Sequence, residues 1–172
     1  GSFAFVLACG ERLGQRLLTT SLSDGLTGAP NRRAFLDQLE RGLASARRHH
    51  QPVALLMLDI DHFKRINDRA GHAAGDQVLV EVSRRIAAAL RPEDSLARLG
   101  GEEFGVLLPG CAGAAALEVA ERIRRRIADA PVEIESEHYP VSVSIGVVAS
   151  LAGEGTPALL MDAADRCLYA AK

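Results

Sequence analysis

The sequence predicts an α/β chain of the α+β kind, a single domain with a central, mostly antiparallel sheet flanked by helices. Two observations carry this expectation. The 172 residues are 48% hydrophobic, enough for one sizeable core with too little left over for a second full domain. After two leading helical stretches, apolar periodicity then switches along the chain in the order β-α-α-β-β-α-β-β-α, and no internal repeat or low-complexity linker interrupts it.

Each element follows from a local pattern. Helices are expected near 3–21, 31–49, 62–68, 74–90, 112–129 and 157–171, and strands near 53–59, 94–98, 103–108, 132–135 and 139–149. Val78, Val82, Ile86 and Leu90 recur at helical spacing, and Pro92 stops that helix. Leu55-Leu56-Met57-Leu58 is a continuous apolar run suited to a strand covered on both faces, and it stops abruptly in Asp59-Ile60-Asp61. Alternation at its end points Asp59 and Asp61 to the same side. The runs Ser95-Leu96-Ala97 and Phe104 to Leu108 are joined through Gly100-Gly101, residues that tolerate positive φ as a tight hairpin requires. That hairpin carries adjacent carboxylates, Glu102 and Glu103, at its bend. Alone it reads as a solvated turn.

Composition narrows the functional classes. A net charge of −2 argues against a nucleic-acid surface, since the arginine clusters at 47–48 and 122–126 are local. Among the 20 basic residues only Lys64 and Lys172 are lysines. Cys9, Cys111 and Cys167 contain no Cys-x-x-Cys pair, which suits a reducing cytoplasm and supplies no metal framework. Gly1-Ser2 resembles a cloning scar, and the apolar run 3–9 is far shorter than the roughly 20 residues of a membrane-spanning helix. Residues 1–22 are expected to be a signalling helix or the tail of an upstream region, with an amphipathic helix packed on its own domain as the alternative. The domain proper is expected over 23–172, cytoplasmic, with an inner-membrane anchor supplied only by that upstream region.

Chemistry is concentrated in three places. If the hairpin lies beside the Asp59 strand, Asp59 and Glu102 converge, and like charges at close range call for a cation. Hard oxygen ligands of this kind suit Mg²⁺, which favours one or two carboxylates plus substrate phosphates. Asp61 is read first as the N-cap of a short helix from His62 to Asn67. Lys64 offers a compact cation for phosphate oxygens, while Asn67 and Asp76 can together read the donors and acceptors of a guanine edge. Plainer roles stand beside these: Asn67 as a helix terminator, Asp76 on a helix dipole, His72 as a loop hydrogen-bonding residue rather than a metal ligand.

Together these residues resemble the GGDEF domain family, the bacterial diguanylate cyclases. Asp24-Gly25-Leu26-Thr27-Gly28-Ala29-Pro30-Asn31-Arg32-Arg33 resembles the family's opening motif, and Asp162 to Lys172 resembles its closing helix. Gly100-Gly101-Glu102-Glu103-Phe104 is similar to an active variant of the signature. The resemblance covers nearly the whole chain. It implies a ferredoxin-like, nucleotidyl-cyclase-related architecture and the condensation of two GTP molecules into cyclic di-GMP and two pyrophosphates, one GTP on each domain of a homodimer. It further implies that Asp59, the Ile60 carbonyl and Glu102 hold Mg²⁺, with Mn²⁺ as an alternative, and that Glu103 assists a second metal. Glu102, Lys64 and Arg98 form the implied catalytic set, Glu102 also being the candidate base for the 3′-hydroxyl. Lys64, Arg98 and Lys172 would meet phosphate, Asn67 and Asp76 would select guanine, and Phe63 and His72 join the substrate-binding group.

A further match, Arg91-Pro92-Glu93-Asp94, resembles the family's Arg-x-x-Asp inhibitory site for the product, with Arg122 as a second arginine. Its plain alternative is a helix-terminal arginine on an ordinary surface helix. Two rival functions are a catalytically inactive GTP or cyclic di-GMP sensor, and an enzyme of mixed base choice. The metal and substrate motifs are undamaged, against the first; adenine lacks the paired donors Asp76 would accept, against the second. Departures from the family pattern are Ala29, where leucine is usual, and an end at Lys172, before the usual Gly-Arg-Asn.

Overall fold

A computed structural model describes residues 22–172, so the expected helix at 3–21 and Cys9 lie outside it. Asn31 opens α1 (Arg32–His49) by accepting from the Ala34 N–H at 3.1 Å, and Phe35, Leu39, Leu43 and Ala46 form its buried stripe. All 8 residues of β1 (Val53–Ile60) are buried. Then follow α2 (Phe63–Ala70), α3 (His72–Ala87), β2 (Ser95–Gly100), β3 (Glu103–Pro109) and α4 (Gly113–Ala128). The chain closes with β4 (Val132–Ile134), β5 (Glu137–Tyr139), β6 (Val143–Ser150) and α5 (Pro157–Ala171). Thr156 caps α5 and Pro157 begins it. No described helix is long and apolar enough to cross a membrane.

Four strands form one sheet in the order β2-β3-β1-β6, with every neighbouring pair antiparallel. The expected antiparallel α+β architecture is therefore present, and β1 sits at its centre. One face carries Leu56, Leu58, Ile60, Phe104 and Val106 against α3 and α4. The other carries Leu55, Met57 and Leu107 against α1 and α5.

Two expected elements differ. The single strand at 139–149 divides, because Pro140 has no N–H to continue a ladder; β5 pairs only with β4, through a turn at Glu135 and Ser136 that both take positive φ. The helix expected at 74–90 starts at His72 and ends at Ala87, so Leu90 joins the core from the turn that follows it.

Across the α1/α5 face, Ala97, Gly105, Met57 and Gly146 are neighbours in register. This row is low because the helices leave no room above it. A Cβ on Gly105 would lie 2.9 Å from the Phe35 ring, and one on Gly146 would strike the Ala164 carbonyl oxygen and the Leu168 backbone nitrogen. Side chains can turn aside, but the backbone of α5 cannot. Gly146→Ala should therefore destabilise the domain by about 3 kcal/mol, the upper range for overpacking. Urea unfolding should show it as a lowered midpoint with an unchanged slope.

Candidate active site

The end of β1, the tip of the β2–β3 hairpin, the first turn of α2, the start of β6 and the last residues of α5 surround a cleft of about 450 Å³. Asp59, Asp61 and Glu102 line it, and so do Lys64 and Lys172, the only lysines in the chain. Gly101 takes φ 49° at the hairpin tip, where a side chain would be strained, and the Ile60 N–H donates to the Glu102 carbonyl at 3.3 Å. That bond holds the tip against the end of β1.

Asp59 lies on the α1/α5 face of its strand, 5% exposed, with Lys172 Nζ 2.9 Å from its Oδ1. Burial pushes the Asp59 carboxyl above its ordinary value; Lys172 opposes this, and Glu102 and Asp61 add to it. The same pair raises Lys172, first through its bond to Asp59. Glu103 stands opposite Asp59 in the β1–β3 ladder and is also raised, by burial and then by Asp59, Asp165 and Glu102, with Arg32 opposing. It is not among the residues that line the cleft.

Asp61 does not cap α2. His62 occupies the cap position at φ 55° with no side-chain bond, and Asp61 instead accepts from the hydroxyls of Ser142 at 2.7 Å and Ser144 at 2.6 Å. Those bonds tie the chain leaving β1 to β6. Among the described residues no three His, Cys, Asp or Glu side chains gather as a metal-holding group. Asp59, Ile60 and Glu102 all line the cleft, Asp59 and Glu102 bringing carboxylates to it.

Arg98, expected at the phosphates, is engaged elsewhere. Its Nη1 donates to both Asp24 carboxylate oxygens at 3.0 and 3.2 Å, while Nε and Nη2 donate to the Gly101 carbonyl at 3.0 and 2.8 Å. Its backbone N–H also donates to Pro30. Arg98 thus straps the residues before α1 to the hairpin tip, one residue from Glu102. Sequence reading missed Asp24 as its partner, although the aspartate lies in the quoted opening motif.

Asn67 and Asp76 are brought near one another by Gly75, where any Cβ would strike Asn67 Oδ1. That Oδ1 is buried without a hydrogen-bond partner. Asp76 is exposed and lines a second groove, of about 570 Å³, with Leu26, Val80 and Glu133. Leu26 is a wall of this groove that the sequence reading did not single out; its only signal was its place in the opening motif. The Phe63 side chain belongs to the core at 9% exposure, and His72, exposed at the start of α3, lines neither cavity.

At the far end of α3, Arg91 and Asp94 form a closed pair: the Asp94 carboxylate has no exposed surface and accepts from the Arg91 N–H and guanidinium, each at 2.9 Å. Arg122 clamps the Ala89 carbonyl at 2.8 and 3.1 Å. Both arginines converge on this turn.

The model of the family described as "Diguanylate cyclase, GGDEF domain" matches residues 21–172. The chain belongs to the GGDEF family. The diguanylate cyclase TpbB of Pseudomonas aeruginosa is 44% identical over 151 residues, 87% of this chain and 34% of TpbB. This GGDEF chain thus spans about a third of that relative's length. Among solved structures, the coiled coil and GGDEF domain of DgcB from Caulobacter crescentus, in complex with c-di-GMP, aligns with a TM-score of 0.87 at 35% identity, covering 98% of this chain and 89% of that one. The active GGEEF domain of a diguanylate cyclase from Vibrio cholerae aligns with a TM-score of 0.74 at 33% identity, covering 81% and 88%.

The strap beneath the signature has a measurable signature of its own. Burial raises the Asp24 carboxyl, but the Thr27 N–H and hydroxyl and Arg98 outweigh it and leave Asp24 below its ordinary value. A carboxylate depressed on folding stabilises above its unfolded value, about 3.9, and that stabilisation is lost as pH falls through the lower native value. Asp24→Asn should cost about 1.5–3 kcal/mol at pH 7, the range for a charged hydrogen bond. In denaturant titrations the gap between parent and variant should shrink below about pH 3.9.

Proposed function

We propose that this GGDEF domain is a diguanylate cyclase that joins two GTP molecules into cyclic di-GMP and releases two pyrophosphates. The observation that carries this reading is the meeting of Asp59, Glu102, Lys64 and Lys172 in one cleft. The rim is acidic and both lysines face it, which is how a site accommodates a polyphosphate together with a divalent cation.

The residues present suit such a cation: two carboxylates, Asp59 and Glu102, line the cleft with Ile60, and a cation, the Lys172 ammonium, already sits 2.9 Å from Asp59. Mg²⁺ held there by Asp59, the Ile60 carbonyl and Glu102, or Mn²⁺ in its place, supplies a Lewis acid and a template for the triphosphate. Lys64 and the start of α2, which line the cleft, take phosphate charge. Glu102, on the cleft, is the candidate to accept the proton of an attacking 3′-hydroxyl as that oxygen bonds to the α-phosphorus and the bond to pyrophosphate breaks. Arg98 acts as a positioning residue for the hairpin, and Glu103, opposite Asp59 in the β1–β3 ladder, is the candidate to assist a second cation. Asn67 offers its amide N–H to the base acceptors, Asp76 accepts from the paired guanine donors, and Leu26 supplies an apolar wall beside Asp76.

The described residues of each chain form one such site, and cyclic di-GMP needs two phosphodiester bonds, so a homodimer presenting two GTP molecules to one another is the catalytic unit. Product binding at Arg91, Asp94 and Arg122 supplies inhibition, through the half-exposed guanidinium of Arg91. An upstream region supplies any membrane link.

Incubation with GTP and Mg²⁺ should yield cyclic di-GMP on chromatography, and ATP alone no cyclic dinucleotide. Glu102→Gln should remain folded by circular dichroism and lose turnover. A dimerised parent that makes no product would leave the domain a nucleotide sensor. Specific activity should rise in proportion to protein concentration in the monomer range and then plateau. Added cyclic di-GMP should suppress turnover in the parent and much less in Arg91→Ala; equal suppression would remove Arg91 from the inhibitory site.

A further inference from the structure

The metal rim already has a tenant. Asp59 presents a side chain only 7% exposed, and its Oδ1 is taken by Lys172 Nζ at 2.9 Å. The ammonium is itself 45% exposed, on a four-carbon stem at the end of α5, so it can leave without moving the helix. Glu102 and Asp61 line the same cleft and act on the same ammonium. Lys172 is therefore the cation that balances this rim when nothing else is bound.

We propose that Lys172 is an exchangeable counter-ion that closes the metal subsite to a free divalent cation until a triphosphate draws the ammonium away. The inference rests on the reading of the cleft as a nucleotide and metal site. A divalent cation and an ammonium cannot both lie against one buried carboxylate without repelling each other. The phosphates give the ammonium an alternative anion, and its departure frees Asp59 Oδ1. Nucleotide and metal then bind with positive coupling, and linkage requires each to tighten the other equally. Cation binding in this domain follows the nucleotide or accompanies it; it does not precede it.

Mn²⁺ titration followed by electron paramagnetic resonance tests this directly, without reference to turnover. In the parent, Mn²⁺ alone should bind weakly, and a non-hydrolysable GTP analogue should tighten it by about 5-fold to 150-fold, the usual range of a coupling between sites. Lys172→Met should bind Mn²⁺ alone more tightly than the parent, by a factor in that same range. It should also show less tightening by the analogue than the parent does, the remainder being the phosphates' own ligation of the cation. Lys172→Arg keeps the charge and should behave as the parent does with Mn²⁺ alone. Lys172 is half-exposed at a helix end, so these variants fold. Tightening of Mn²⁺ by the analogue in the parent, with Lys172→Met no tighter than the parent for Mn²⁺ alone, would overturn the counter-ion role and leave the metal site standing. No Mn²⁺ binding by any of the three proteins, with or without the analogue, would overturn the metal site and the counter-ion role together.

Discussion

The backbone of α5 runs through the space that a side chain at position 146 would need, and the geometry of the site depends on that approach. Met57 lies between Gly105 and Gly146 in the ladder, and Asp59 is two residues further along the same face of β1. A helix set this low over β6 brings its last residue level with the end of β1, where Lys172 reaches Asp59. A bulkier row would lift the helix and separate the pair. The site is thus built by the packing of the α1/α5 core, and its charges are placed by residues that carry none.

A second constraint is electrostatic. Three carboxylates share the cleft with two ammonium groups, and burial raises the cost of ionising Asp59 further. The fold meets this by dispersing the charge. Asp61 is shared between two serine hydroxyls, Asp59 is matched by Lys172, and Glu102 stays at a hairpin tip where water reaches it. Asp24 and Arg98 balance one another outside the cleft and keep the tip in place. None of these pairings is local in sequence.

That last fact explains what could be read from the chain beforehand. The buried β1 was legible because all of its side chains obey one rule, and the hairpin was legible because two glycines announce a turn. The convergence of Asp59 and Glu102 followed from placing those two elements side by side. The partners of Asp61 and Arg98 were not legible: Ser142 and Asp24 lie 81 and 74 residues away, and only the folded sheet brings them within reach. Capping was a sound local rule for Asp61, overridden by two hydroxyls at the start of a neighbouring strand, Ser142 just before β6 and Ser144 within it. The end of α3 at Ala87 shows the same limit, since Leu90, partly buried, still packs against the core after the helical backbone has stopped.

Lys64 and Lys172 carry the only ε-amines in this chain, because every other basic side chain that is not histidine is arginine. Guanidinium groups stay protonated and do not compete for acylating reagents near neutral pH. An amine-directed label therefore modifies the side chains of this 172-residue chain at the cleft alone, with no engineered handle. Asp59 holds the Lys172 ammonium protonated, which makes that amine a slower nucleophile than a lysine free of such a partner. The rate at which Lys172 is acylated thus reports, on the unmodified sequence, how often its contact with Asp59 is open.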